Sequence, residues 1–230
     1  MTPELRDAHN YFRWVFSVLR PFLGKRILEI GAGYGNFASL AANEGKQYTG
    51  IDLDKNVVDM LNNKFRGVAN VSFHQADITR QDVMERLGAG DVDTVISMNV
   101  LEHVENTDGH LKSILSILKK GRLIIFVPAH RCLYGTMDAD AGHLRRYSKS
   151  DLRKLLDKPG LKIEKMFYFN CLGALGWFLT GRILKQRINS RSTGNFALFY
   201  DRAVIPLTRW VDIILNPFFG QSIICVADKT

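Results

Sequence analysis

From residue 26 onward, short apolar and β-branched runs alternate with amphipathic segments, the pattern of βαβ units around a parallel sheet. Arg26 to Ile30 reads as the first strand and Tyr48 to Leu53 as the second, with a helix between them that stops near Gly45. Asp54 is placed to cap a helix that turns Val57, Val58, Leu61 and Phe65 to one face and closes at Gly67. Val71 to His74, Val92 to Met98 and Leu123 to Val127 are the next strands, the last stopped by Pro128. Between them, Thr79-x-x-Asp82 has the form of a capping box opening a short helix to Gly88. Residues 107–120 carry Leu111, Ile114, Leu115 and Leu118 at helical spacing, with Lys119 and Lys120 at the negative end of the dipole and Gly121 beyond.

After the fifth strand the rhythm changes. Ser148-x-x-Asp151 predicts a helix to about Asp157, and Lys162 to Phe169 and Ser222 to Ala227 are two more strands. Cys171 to Gln221, between those strands, is too long for a structureless loop and is expected to be helical. Tyr11, Phe12, Trp14, Phe16 and Leu19 form an aromatic helical stripe before Pro21. These segments predict one domain over residues 1–230, with 1–24 as an N-terminal helical cover and 171–221 as an inserted lid or dimer element.

The 230 residues, 46% of them hydrophobic, are enough for one sizeable core and exclude a disordered or disulfide-stapled chain. Cys132, Cys171 and Cys225 are odd in number and form no CxxC pair, so neither a disulfide framework nor a zinc motif is indicated. The N-terminus lacks the basic-then-apolar layout of a signal peptide, and the longest apolar stretch, Cys171 to Thr180, is half a bilayer span. A soluble, cytoplasmic protein is expected.

Candidate chemistry starts at Leu28-Glu29-Ile30-Gly31-Ala32-Gly33-Tyr34-Gly35-Asn36, a strand that runs through a glycine-rich turn into a helix. Such a turn lets backbone approach a ligand and turns helix N–H groups toward an anionic part of it. Asp52, at the end of the next strand, is placed to accept hydrogen bonds from both hydroxyls of a ribose. On these residues, on Gln75-Ala76-Asp77-Ile78 and on Asp93-Thr94-Val95-Ile96-Ser97-Met98-Asn99-Val100-Leu101-Glu102-His103-Val104, the sequence resembles the class I S-adenosylmethionine-dependent methyltransferases, and the Leu-Glu-His-Val run resembles their ubiquinone-biosynthesis branch. The resemblance implies an α/β, Rossmann-like seven-stranded sheet with an antiparallel last strand. It implies S-adenosylmethionine as cofactor, held by Glu29, Gly31, Ala32, Gly33, Gly35, Asp52, Leu53, Asp77, Ile78, Met98 and Asn99. Tyr11 or Trp14 is a further cofactor contact if the N-terminal helix covers the site.

Other nucleotide chemistries fit less well. A dinucleotide fingerprint needs glycine where Asn36 stands, no tyrosine has lysine four positions on, and no Gly-Lys-Ser/Thr occurs. The base-amino methylating run Asn/Asp-Pro-Pro-aromatic is replaced by Met98-Asn99-Val100-Leu101, and the Asp-Asn pair of metal-dependent catechol enzymes is absent. This leaves metal-independent transfer to an O or N atom of a small molecule, with nucleic acid disfavoured.

On the acceptor side, Pro128 to Tyr134 begins at a strand end and His143-Leu144-Arg145-Arg146-Tyr147 follows. His143 ranks first and His130 second as general base, with His103 third. Arg145 or Arg146 is the candidate anchor for an anionic substrate group, and Tyr134 and Tyr147 face the same region. Of the net charge of +8, much falls in residues 171–221, where six basic side chains against two acidic ones are interleaved with aromatics. A lid or homodimer element is preferred there, with peripheral membrane contact second. The alternative function is a non-catalytic S-adenosylmethionine-binding accessory protein whose basic aromatic insertion docks a partner or a membrane surface.

Overall fold

Seven strands form one sheet: β1 (Arg26–Ile30), β2 (Gln47–Asp52), β3 (Val71–Gln75), β4 (Thr94–Met98), β5 (Gly121–Pro128), β6 (Leu161–Phe169) and β7 (Ser222–Lys229), in the order β3-β2-β1-β4-β5-β7-β6. The computed structural model describes residues 7–80, 92–187 and 191–230, except for the side chains of 191–193 and 195. β1 to β5 pair in parallel, and β7 runs antiparallel to both β5 and β6, as the motif order implied. The sequence order reverses between β1 and β4, and at such a switch point crossovers leave to opposite faces and open a crevice at the carboxyl ends. Every residue of β4 is buried, which is why it reads as a continuous apolar run.

Helices cover both faces. On one, Trp14, Phe16 and Leu19 of α1 (His9–Leu19), Phe37 of α2 (Asn36–Asn43) and Leu61 of α3 (Lys55–Lys64) pack with Phe73, Phe126 and Phe169. On the other, Leu111 and Ile114 of α4 (Thr107–Ile117) and Leu152 and Leu156 of α6 (Lys149–Leu156) pack with Leu28, Val95 and Leu123; α5 (Thr136–Asp140) lies between them in sequence. Several boundaries depart from the sequence pattern, and three of them have a bearing on how the elements end. α4 ends at Ile117, so Lys119 and Lys120 lie beyond it; β4 begins at Thr94 rather than Val92; and β5 continues through Pro128, whose missing N–H matters little at the final residue of a strand. The helix expected from Thr79 to Gly88 falls largely on residues 81–91, outside those described.

Between β6 and β7 the chain runs through α7 (Cys171–Trp177), a π-helical turn (Phe178–Ile183), α8 (Arg191–Phe199), a second π-helical turn (Tyr200–Val204) and α9 (Ile205–Leu215). Two buried acids staple this segment to the rest. Asp201 accepts from the N–H groups of Asn10 and Tyr11 at 3.2 and 2.8 Å, the free donors at the start of α1. Asp212 accepts from those of Asn170 and Cys171 at 2.8 and 2.7 Å, at the start of α7. Among the described residues no helix is long and apolar enough to cross a membrane.

Candidate active site at the carboxyl edge of the sheet

The chain leaves β1 through Gly31, Gly33 and Gly35, with φ of +76°, +52° and +68°. A Cβ at Gly31 would stand 2.7 Å from Val100 and one at Gly35 2.6 Å from Leu61, so glycine is required there by space as well as by φ. The N–H groups of Gly31 and Ala32 donate to the Ile51 carbonyl at 2.8 and 3.1 Å, which ties the loop to the end of β2. Gly35 then stands at the N-cap of α2.

Asp52 stands opposite this loop. One carboxylate oxygen accepts from the Gly33 N–H at 3.2 Å and the other from the Asp54 N–H at 3.1 Å, while Asp54 itself caps α3 through the Asn56 N–H. The half-exposed Asp52 is therefore not the helix cap, and beside it Leu53 is 69% exposed, an apolar side chain at the crevice rim. Glu29, by contrast, is buried beneath the loop, where it accepts from the Tyr48 hydroxyl; burial pushes its carboxyl up to about 8. Asp77 closes its own turn, accepting from the Thr79 hydroxyl and N–H, and those bonds hold it below the ordinary carboxylate range. Ile78 and Met98 are buried, and Asn99 leaves β4 at φ +52°. Tyr11 packs edge-on against Phe169, and Trp14 is buried with its ring 4.0 Å from the same phenylalanine.

The second half of the site gathers after β4 and β5. Glu102 and His103 form a single helical turn, Leu101–His103, with Glu102 wholly buried and its carboxyl pushed up to about 8 by that burial. The His103 and His143 rings meet edge to face, centroids 4.9 Å apart. His103 Nδ1 lies 3.0 Å from the Gly142 carbonyl, and His143 Nδ1 lies 2.9 Å from Asp138. Asp138 is fully buried and also accepts from Arg146 Nε at 2.8 Å, Trp177 Nε1 at 3.0 Å and the Gly135 N–H at 3.0 Å. Burial alone would raise this carboxyl, but its bonds to His143, Arg146 and Trp177 outweigh that and hold it low.

The clustered residues divide into distinct roles. Arg146 is buried, paired to Asp138, bonded to the Ala129 carbonyl at 2.9 Å and laid over the Trp177 ring, so its fork is taken up within the protein rather than offered to an anion. Arg145 is the more open, and with Tyr134, Asp151 and Lys154 it borders a surface cavity of about 570 Å³. Tyr147 donates to the Leu101 carbonyl and Tyr134 to that of His143, at 2.9 and 2.8 Å, so both phenols hold backbone near the histidines. His130 sits elsewhere, sandwiched between Tyr168 and Phe219 at 4.7 and 4.8 Å, and burial, then Arg146 and Lys149, lowers its basicity. Glu102, Asp138 and Trp177 escaped the sequence reading. Glu102 adjoins His103 and was within reach of it, whereas Asp138 and Trp177 meet only through the fold.

Residues 4–166 match a family described as a methyltransferase domain. The ribosomal RNA small subunit methyltransferase A of Pseudomonas fluorescens (strain Pf0-1) is 31% identical over 104 residues, 42% of this chain and 38% of that protein. The ubiquinone biosynthesis O-methyltransferase of Acinetobacter baylyi (strain ATCC 33305 / BD413 / ADP1) is 25% identical over 138 residues, 54% of this chain and 57% of its own length. This chain thus spans well under two thirds of either relative. Among solved structures, the magnesium protoporphyrin IX methyltransferase of Synechocystis PCC 6803 with bound SAH is similar in fold, with a TM-score of 0.59 over 99% of this chain and 86% of that one at 18% identity.

Proposed function

Since this chain belongs to the methyltransferase-domain family, we propose that it transfers a methyl group from S-adenosylmethionine to an oxygen or nitrogen of a small molecule. Its sheet, with antiparallel β7, is the class I Rossmann-like fold that the motifs implied. The observation that carries the reading is the pairing of the left-handed glycine loop with the Asp52 carboxylate at the switch point. The crevice fits the cofactor. Asp52 faces the ribose hydroxyls, Leu53 offers an apolar surface to the adenine, and the loop leaves room for backbone to approach the methionine part, with Asn99 at the reacting end. When bound, the cofactor supplies an electrophilic sulfonium methyl. The chain's own task is then to align the acceptor at about 3–3.5 Å and to exclude water.

The acceptor end is the Glu102, His103 and His143 group, with Arg145 as the basic side chain open to an anionic substituent. A small molecule is preferred to nucleic acid because Asn99-Val100-Leu101-Glu102 follows β4 in place of the base-amino methylating run, and because the ribosomal RNA enzyme matches less than half of this chain. Calorimetric titration with S-adenosylmethionine tests the core of the proposal. Asp52→Ala is expected to weaken binding by about 1.5–3 kcal/mol, the worth of hydrogen bonds to a charged group, with the fold retained. Equal affinity in both proteins, or no binding by the wild type, overturns the assignment.

The outer face of α9 suggests a second contact. Its inward positions are Ile205, Thr208 and Asp212, while Leu207, Trp210, Ile213 and Ile214 are each more than 60% exposed, so its amphipathy is reversed toward solvent. Exposed Arg202, Arg209 and Lys185 belong to the same inserted segment. The proposed partner of this face is an anionic lipid surface, which takes apolar side chains and is attracted to arginine and lysine.

A further inference from the structure

Among the described residues, one donor atom each of Glu102, His103 and His143 lies within 4.8 Å of the other two. Glu102 has no exposed surface, and among the described residues neither of its carboxylate oxygens has a hydrogen-bond partner. From this arrangement we propose that Glu102, His103 and His143 hold a divalent metal ion whose open positions take a hydroxyl-bearing acceptor. Ion binding stands by itself, and only the acceptor's place on the ion rests on the methyltransferase reading.

Each histidine is set as a ligand would be. Nδ1 of His143 faces Asp138 and Nδ1 of His103 faces the Gly142 carbonyl, so the neutral form of each ring carries its proton on Nδ1 and offers Nε2 as the ligating nitrogen. Such outer acceptors are the usual companions of metal-bound imidazole, because they fix the tautomer and raise the basicity of the ligating nitrogen. Asp138 is itself held by Arg146, Trp177 and the Gly135 N–H, so the support is rigid. The contact left inside the group is His143 Nε2 to Glu102 Oε1 at 3.8 Å, too long for a hydrogen bond. Donors bound at about 2.1 Å to one tetrahedral ion stand about 3.4 Å apart, so a group within 4.8 Å must draw in by up to about 1.4 Å to close on an ion.

A buried carboxyl without a hydrogen-bond partner is costly, and Arg146, whose Nε bonds Asp138, offers Glu102 the attraction of its charge but no hydrogen bond. A cation between Glu102 and the two imidazoles would supply the missing partner and hold the ionised form. Two imidazoles and one carboxylate suit first-row divalent ions, and three protein ligands leave positions free for substrate. An acceptor hydroxyl placed there loses its proton to solvent water more readily, which favours oxygen over nitrogen as the methylated atom. This departs from the metal-independent chemistry inferred from the missing Asp-Asn pair, since the ligand set is a different one.

The test is calorimetric titration of the tag-free, chelator-treated full chain with Zn²⁺ and with Mn²⁺, alongside a separate titration with S-adenosylmethionine. One ion per chain is expected, with affinity at least tenfold weaker in Glu102→Gln and in His103→Ala; the second variant alters an exposed ring and so guards against misfolding. Asp138→Asn is expected to weaken the ion by about 10- to 100-fold through His143. Wild-type melting should rise with the ion, and that of Glu102→Gln should not. No saturable binding of either ion, or equal binding in all variants, overturns the site. Ion binding without S-adenosylmethionine binding leaves the site standing and removes the methyltransferase reading.

Discussion

Glu29 and Glu102 are both buried acids pushed up to about 8, yet their surroundings assign them different work. Glu29 has the Tyr48 hydroxyl and lies beneath the glycine loop, so the protonated form is the one that the fold favours. Between about 4.5 and about 8 the native chain keeps a proton on Glu29 that the unfolded chain has lost, so this residue's contribution to stability falls as pH rises through that window. Its slope is at most about 1.4 kcal/mol per pH unit. Glu29→Gln removes it, so the stability difference, variant minus wild type, should grow in the variant's favour from pH 5 to pH 8. Urea unfolding of the ligand-free proteins at both pH values measures this, and an unchanged difference refutes it. The place of Asp52 opposite the glycine loop was legible in the sequence, because it ends the strand that follows that loop. The part taken by Arg146 was not, because nothing in a run of five residues shows that one guanidinium turns inward to an acid eight positions away while its neighbour stays outside.

At the scale of elements, periodicity located the strands and most helices because burial follows it: β4 is buried throughout, and α4 turns His110, Leu111, Ile114 and Ile117 inward. Ends were harder, since they are set by hydrogen bonds from distant segments. Asp201 shows this, for it supplies the start of α1, which has no side-chain cap of its own, across a separation of 190 residues. Asp201→Ala leaves two N–H groups near the start of α1 without their acceptor and is expected to destabilise the protein by about 1–2 kcal/mol, the range for loss of a helix cap. Chemical unfolding gives the size, and hydrogen exchange gives the place. Faster exchange should be confined to α1 and the Tyr200–Val204 turn, and equal acceleration across the central strands would show that Asp201 serves the whole core instead.

For the molecule as a whole, the sequence carried the interleaved aromatics and basic residues of the inserted segment but not which way they point, because helical spacing alone does not say which face of α9 meets the protein. The fold turns Thr208 and Asp212 inward and leaves Trp210 63%, Ile214 72% and, just past the helix, Phe218 76% exposed. Burying each such side chain in a lipid interface contributes up to about 1.5–3 kcal/mol, and each nearby arginine or lysine about 1 kcal/mol more on an anionic surface. The two parts respond differently to salt, since at 1 M the screening length falls to about 3 Å while apolar burial is untouched. The chain should therefore sediment with vesicles of mixed phosphatidylglycerol and phosphatidylcholine, more weakly with phosphatidylcholine alone, and be released only in part by 1 M salt. Trp210→Ser with Ile214→Ser should abolish the salt-resistant fraction, and Arg202→Gln with Arg209→Gln the preference for anionic lipid. A chain that ignores both kinds of vesicle, and sediments in solution as a dimer that the Trp210 and Ile214 substitutions dissolve, would show that a second copy of the chain covers this face instead.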